Sequence, residues 1–249
     1  MPFNEREIQE WGILPRIYQR YLKSLSQGPG YMETKTVTRH VELLLLPAAA
    51  RLGLINDLSA RLKTFEIDHR RTKEPRVKTA WNALEGFIDF NRGILEKHDV
   101  TLFVYGSMQY GDPVNMDFDG LFITQTRNNK FRNLYKNKLS PELEFLFTRV
   151  VPGRGDGSSY FSLEDLAARQ QQINRGNEKY VVKYREFIEA EFTEASVLLT
   201  GFPVYSPGNR AVLFKNRVWD MLGESPLLAA EVIIGLEETV QNREKRRSR

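Results

Sequence analysis

At 249 residues, with a net charge of +4 and a hydrophobic fraction of 41%, the chain is long enough for a substantial core and has an ordinary globular composition, which excludes wholesale disorder. It contains no cysteine, so disulfides, thiolate metal sites and cysteine nucleophiles are excluded together, and any metal must take oxygen or imidazole ligands. Part of the positive charge sits in the run Arg243, Lys245, Arg246, Arg247 and Arg249, so the body is close to neutral and offers little bulk attraction for nucleic acid.

In chain order, apolar spacing of three and four (Ile8, Trp11, Ile13, Leu14; Val41, Leu44, Leu45) predicts helices near 4–25, 33–51, 54–67 and 75–97. The turn cluster Gln27-Gly28-Pro29-Gly30 separates the first two, and Arg71 to Pro75 separates the last pair. At Val100 the character changes to Thr101-Leu102-Phe103-Val104-Tyr105, a buried-strand pattern that ends on Gly106-Ser107. A second strand is expected over Phe118 to Thr124, a basic helical stretch over Asn128 to Lys138, and a third strand over Glu142 to Val151. The glycine-rich segment Gly153 to Ser159 reads as a loop, and Ser162 with Asp165 as a capped helix start. A long helical region to about Thr193 follows, then a short buried segment, Ala195 to Leu199, closed by Gly201 and Pro203. Helices are expected again near 210–222 and 226–245, with a frayed basic end. The predicted fold class is α+β: a helical N-terminal region (1–79), a small mixed sheet with flanking helices (80–215), and a C-terminal helix with a basic tail (216–249). The longest apolar run, Leu43 to Ala50, falls well short of the roughly 18 residues of a membrane span. The start MPFNEREIQEW lacks the order of a secretory signal, so no membrane partner and a cytoplasmic address are expected.

Chemistry concentrates in residues 106–119. On a strand, Asp117 and Asp119 share one face while Phe118 takes the other, which gathers two carboxylates in one small volume. A divalent cation turns their mutual repulsion into ligation, and oxygen-only ligands favour magnesium or manganese. Gly106 lets backbone approach a phosphate, and Ser107 adds a hydroxyl. Gly106-Ser107 and Asp117-x-Asp119 together suit a metal-bound nucleoside triphosphate placed for attack by an acceptor hydroxyl.

The stretch YGSMQYGDPVNMDFDGLFI resembles the signature of the DNA polymerase beta-type nucleotidyltransferases, a superfamily that includes minimal and aminoglycoside nucleotidyltransferases. The similarity extends over about residues 80–215 and takes in Leu198-Leu199-Thr200-Gly201-Phe202-Pro203-Val204-Tyr205. The resemblance implies that Gly106 and Ser107 bind the triphosphate and that Asp117 and Asp119 ligate magnesium. It further implies a third carboxylate on a neighbouring strand, for which Glu144 is the first candidate, as metal ligand or base, and Glu142 the second. Met116 and Gly120 depart from the family pattern without removing a ligand.

The expected activity is metal-dependent transfer of a nucleoside monophosphate to an acceptor hydroxyl, with ATP the first candidate among the triphosphates. The acceptor stays open between a small molecule, a protein and an RNA end. The alternative is a catalytically inactive nucleotide-binding or protein-interaction module with the same fold. An acidic pocket for a cationic small molecule would draw on Glu186, Glu189, Glu191 and Glu194. His40, His69 and His98 have no ligand spacing, which favours structural roles. Arg70, Arg71 and Lys73 could contact phosphates, although a charge run between helices is usually a solvated face. The same holds for Lys130, Arg132, Lys136 and Lys138.

Overall fold

The computed structural model describes residues 16–27, 34–111, 118–136, 159–175 and 194–247. These form helices α1 (Arg16–Gln27), α2 (Thr34–Leu45), α3 (Ala48–Lys63) and α4 (Pro75–Lys97), strand β1 (Thr101–Tyr105), and the five-residue α5 (Gly106–Tyr110). Strand β2 (Asp119–Thr124), α6 (Asn129–Lys136), β3 (Ser159–Ser162) and α7 (Leu163–Asn174) follow. Then come α8 (residues 194–200), β4 (Phe202–Tyr205), a 3-10 turn (Pro207–Asn209), α9 (Arg210–Glu224) and α10 (Pro226–Arg247). The molecule is α+β, mostly helical, with one small mixed sheet, and no described helix is long and apolar enough to cross a membrane.

Contacts divide the chain into two compact units: a helical unit of residues 1–61, 167–196 and 218–249, and a sheet-bearing unit of 62–166 and 197–217. In the helical unit α2 packs against both α1 and α10. Every residue from Leu227 to Ile233 is buried, so the start of α10 is enclosed on all sides rather than along one stripe. Burying Glu231 there requires partners, and the described residues supply two: the Tyr21 hydroxyl donates to its carboxylate, and His40 Nε2 lies 2.7 Å from the same oxygen.

In the sheet-bearing unit the strand order is β3-β2-β1-β4. β1 runs antiparallel to β2 and to β4, and β2 runs parallel to β3. Leu102 and Val104 of β1, Phe122 of β2 and Tyr205 of β4 join Val77, Trp81, Leu84, Phe87 and Ile88 of α4 in one buried cluster. Pro75 opens α4 at the position where its missing N–H costs nothing, and the Glu74 side chain accepts from Arg76 N at 3.4 Å.

Several expectations are corrected in the described residues. The break placed between residues 51 and 54 lies at Leu46-Pro47 instead, because proline disfavours a helical conformation in the residue before it, and α3 runs straight through Gly53. Ser159, expected in a loop, begins β3, which pairs with β2 from Leu121↔Ser159 to Thr124↔Ser162. The segment Ala195 to Leu199 is buried at four of its five positions, as expected, and forms part of helix α8. The basic end continues as helix to Arg247, where Lys245, Arg246 and Arg247 face the negative pole of the helix dipole. The strand expected over Glu142 to Val151 lies outside the described residues.

Candidate functional site

Antiparallel register sets Tyr105, the last residue of β1, opposite Asp119, the first of β2. The chain must turn sharply from β1 into α5, and Gly106 makes that turn with φ +64°, a conformation that side chains rarely adopt. The bare Cα has a second consequence. A Cβ at residue 106 would collide with the Asp119 carboxylate, so glycine lets that carboxylate lean directly against the Gly-Ser turn. Asp119 is half-buried, and Ser107 is buried in the first turn of α5. Two of the elements predicted from sequence, the Gly106-Ser107 turn and the Asp119 carboxylate, are thereby brought together at one end of the β1–β2 pair. Asp117, Glu144 and Glu142 lie outside the described residues, as do Glu186, Glu189 and Glu191. Glu194 is described, and its carboxylate lies 3.8 Å from Arg169.

Gly120 has its own local cause. The buried Phe118 ring folds across it so closely that a Cβ at 120 would overlap the ring. The glycine at 120 is therefore a packing requirement of this chain.

The position of α5 is held by contacts that sequence patterns do not announce. The Trp81 indole Nε1 donates to Met108 O at 3.4 Å, and Ile67 N donates to Gln109 O at 3.2 Å. The buried Gln109 amide donates to Glu66 Oε1 at 2.9 Å and to the Thr200 carbonyl. At the C-terminus of α5, Gly111 takes φ +65°, and a Cβ there would stand 2.6 Å from Ile67 Cγ2. Five residues make too short a helix to be stable by itself, so these ties fix it.

Electrostatically, one cation stands out among the described residues of the unit. Burial, reinforced by neighbouring Lys63 and opposed by Glu66, holds the Lys215 ammonium below its ordinary pKa. Nothing in the sequence marked Lys215, since a lysine on a helix is by default solvated. Among the described residues no three His, Asp or Glu side chains gather as a metal site; Asp119 is the one described member of the expected carboxylate set.

No family model, curated protein or solved structure matches the chain.

Proposed function

We propose that the sheet-bearing unit transfers a nucleoside monophosphate from a nucleoside triphosphate, ATP first among the candidates, to an acceptor hydroxyl, with pyrophosphate leaving. The observation that carries this reading is the packing of the Asp119 carboxylate against the bare Cα of Gly106. A triphosphate drawn to the turn would meet that carboxylate at once, and two like charges do not settle together without a cation. Hard oxygen donors such as Asp119, with Asp117 two residues earlier, suit magnesium or manganese. When bound, the metal would offset charge on the triphosphate and on the attacking and leaving oxygens. The chain's part is positional: the Gly106-Ser107 backbone would hold the phosphates, and Asp119 would fix the cation beside them.

The third acid is an open element of this reading. Glu144 and Glu142 were the candidates from sequence. The strand found parallel to β2 is Ser159–Ser162, and the acid nearest to its start along the chain is Asp156, which is also outside the described residues. Glu144→Gln and Asp156→Asn are the informative pair of variants.

The test is to incubate the protein with each labelled triphosphate and magnesium, with RNA, protein or small-molecule acceptors, and to measure pyrophosphate and labelled product. Asp119→Asn should lose at least about 100-fold in rate, since removing even groups that merely orient a metal ligand costs 10- to 100-fold. Full activity in Asp117→Asn with Asp119→Asn would sink the proposal. Tight triphosphate binding without pyrophosphate release under any acceptor would point instead to a nucleotide-binding module.

A further inference from the structure

We propose that a cleft on the sheet-bearing unit, separate from the Gly106–Asp119 turn, binds a nucleotide, with its base stacked on His69 and its phosphate held by Arg70 and Arg71. The cleft has a volume of about 640 Å³ and is formed by the 67–71 loop, one side of α4 and strand β4. That volume lies within the roughly 300–1,000 Å³ typical of small-ligand pockets.

Three aromatic rings build one wall. The His69 imidazole stacks on the Trp81 indole, with centroids 3.9 Å apart and planes 13° from parallel. Phe202 meets both rings edge-on, at 5.8 Å from each. Trp81 is 5% exposed and anchored through its indole N–H, so the stack has a rigid floor, while His69 is only half-buried and lines the cleft. A base laid on His69 would extend a stack that already exists, and stacking of this kind accepts any base because every base has a π-face. Burial, and Arg70 next to it, lower the His69 pKa, which favours a neutral ring.

Charge complements the rings. Arg70 and Arg71 are both exposed at the rim. Arg71 is 89% exposed and pairs with Asp68 at 3.2 Å, whereas Arg70 forms no ion pair among the described residues. Two guanidinium groups beside a stacked ring supply the two contacts that a nucleoside monophosphate requires, a π-face and a phosphate clamp. Asp68 and Glu85, also in the lining, carry the opposing charge and disfavour ligands with several phosphates crowded at one point. The same chemistry is offered by a free mononucleotide and by the end of a single strand.

Binding of 5′-AMP and of a 5′-phosphorylated octa-adenylate, each measured by titration calorimetry in EDTA on the full chain carrying Asp119→Asn, tests the assignment apart from any chemistry at the turn. Saturable binding is expected. His69→Ala should weaken it about five- to hundred-fold, whereas His69→Phe, which keeps a ring face, should stay within a few-fold. Arg70→Ala with Arg71→Ala, both on the surface, should weaken it too, and for the strand should flatten the salt dependence by about 0.7 per arginine that contacts a phosphate. Tighter binding of the octamer identifies a strand as the ligand, and equal binding identifies the mononucleotide. Absence of binding to both ligands overturns the proposal, as does binding that either alanine variant leaves unchanged, or a His69→Phe protein as weak as His69→Ala. Circular dichroism of each variant confirms that it is folded before its affinity is read. Because no metal or triphosphate is present, failure here leaves the transfer reaction standing, and failure of the transfer reaction leaves this site standing.

Discussion

A methyl group added at Gly120 has nowhere to go: the Phe118 ring, itself buried in the core, already fills that space. Gly120→Ala should therefore destabilise by about 1–3 kcal/mol, the usual cost of overpacking, read as a lower urea midpoint at unchanged slope. In a Phe118→Ala background the same substitution should cost less, because the two groups compete for one volume. A penalty that is equal in both backgrounds would show that the ring is not the obstacle. At His69 the measurable quantity is a titration. Burial first, and Arg70 second, lower its pKa from 6.5, with Glu85 and Asp68 opposing. As pH falls, the unfolded chain takes up the proton before the folded one, so this contribution to stability is present above about pH 6.5 and fades as pH drops through the folded pKa. A proton NMR titration of the imidazole should show a midpoint below 6.5, and one above it would contradict the burial argument. Both residues illustrate what sequence reading reaches at this scale. Gly106, Ser107 and Asp119 stood out because their types and spacing are specific to a chemistry. Gly120 registered only as a departure, and His69 only as a histidine without ligand spacing, because residue types alone do not show where the Phe118, Trp81 and Phe202 rings will lie.

Helix α7 opens on Ser162, whose Oγ accepts from Asp165 N at 3.1 Å and donates to Asp165 Oδ2 at 2.8 Å, with Arg127 reaching the same carboxyl group at 2.6 Å. Ser162→Ala should cost about 1 kcal/mol, within the 0.5–2 kcal/mol range of lost N-caps, measured by thermal or denaturant unfolding. A neutral result would mean that the Arg127–Asp165 pair alone holds the start of the helix. This cap was legible from Ser162 and Asp165 in sequence, as were β1, β2 and α4, where period and punctuation agree. The strand it terminates was not. Ser159–Ser162 is only four residues, SYFS, with a serine at each end, and it is made a strand by parallel pairing with β2. Residues 195–199 were legible only as a buried segment, since a short apolar run looks the same whether it will be a buried strand or one face of a helix. Local sequence defines an element well when the element is long, and poorly when a neighbour supplies half of its hydrogen bonds.

Across the whole molecule, the helical unit is assembled from stretches far apart in sequence, with Tyr21 of α1, His40 of α2 and Glu231 of α10 meeting at one buried carboxylate. Glu231→Ala should destabilise by about 2–5 kcal/mol by removing the shared acceptor of two buried donors, and Glu231→Gln by less, as judged by guanidinium unfolding. Loss of no more than a few tenths would show that the network contributes little. Deleting residues 218–249 should be worse still. It strips α10 from α2, and the product should bind a hydrophobic dye and aggregate.

The same arrangement governs how the protein is born. During synthesis α1 and α2 leave the ribosome early, yet the carboxylate that their tyrosine and histidine share is encoded 191 residues beyond His40. At 5–20 residues per second this amounts to about 10 to 40 s of waiting. Through that interval the buried face of α2, with Val37, Leu43 and Leu44, lacks its α10 partner and is the surface on which a holding chaperone would act.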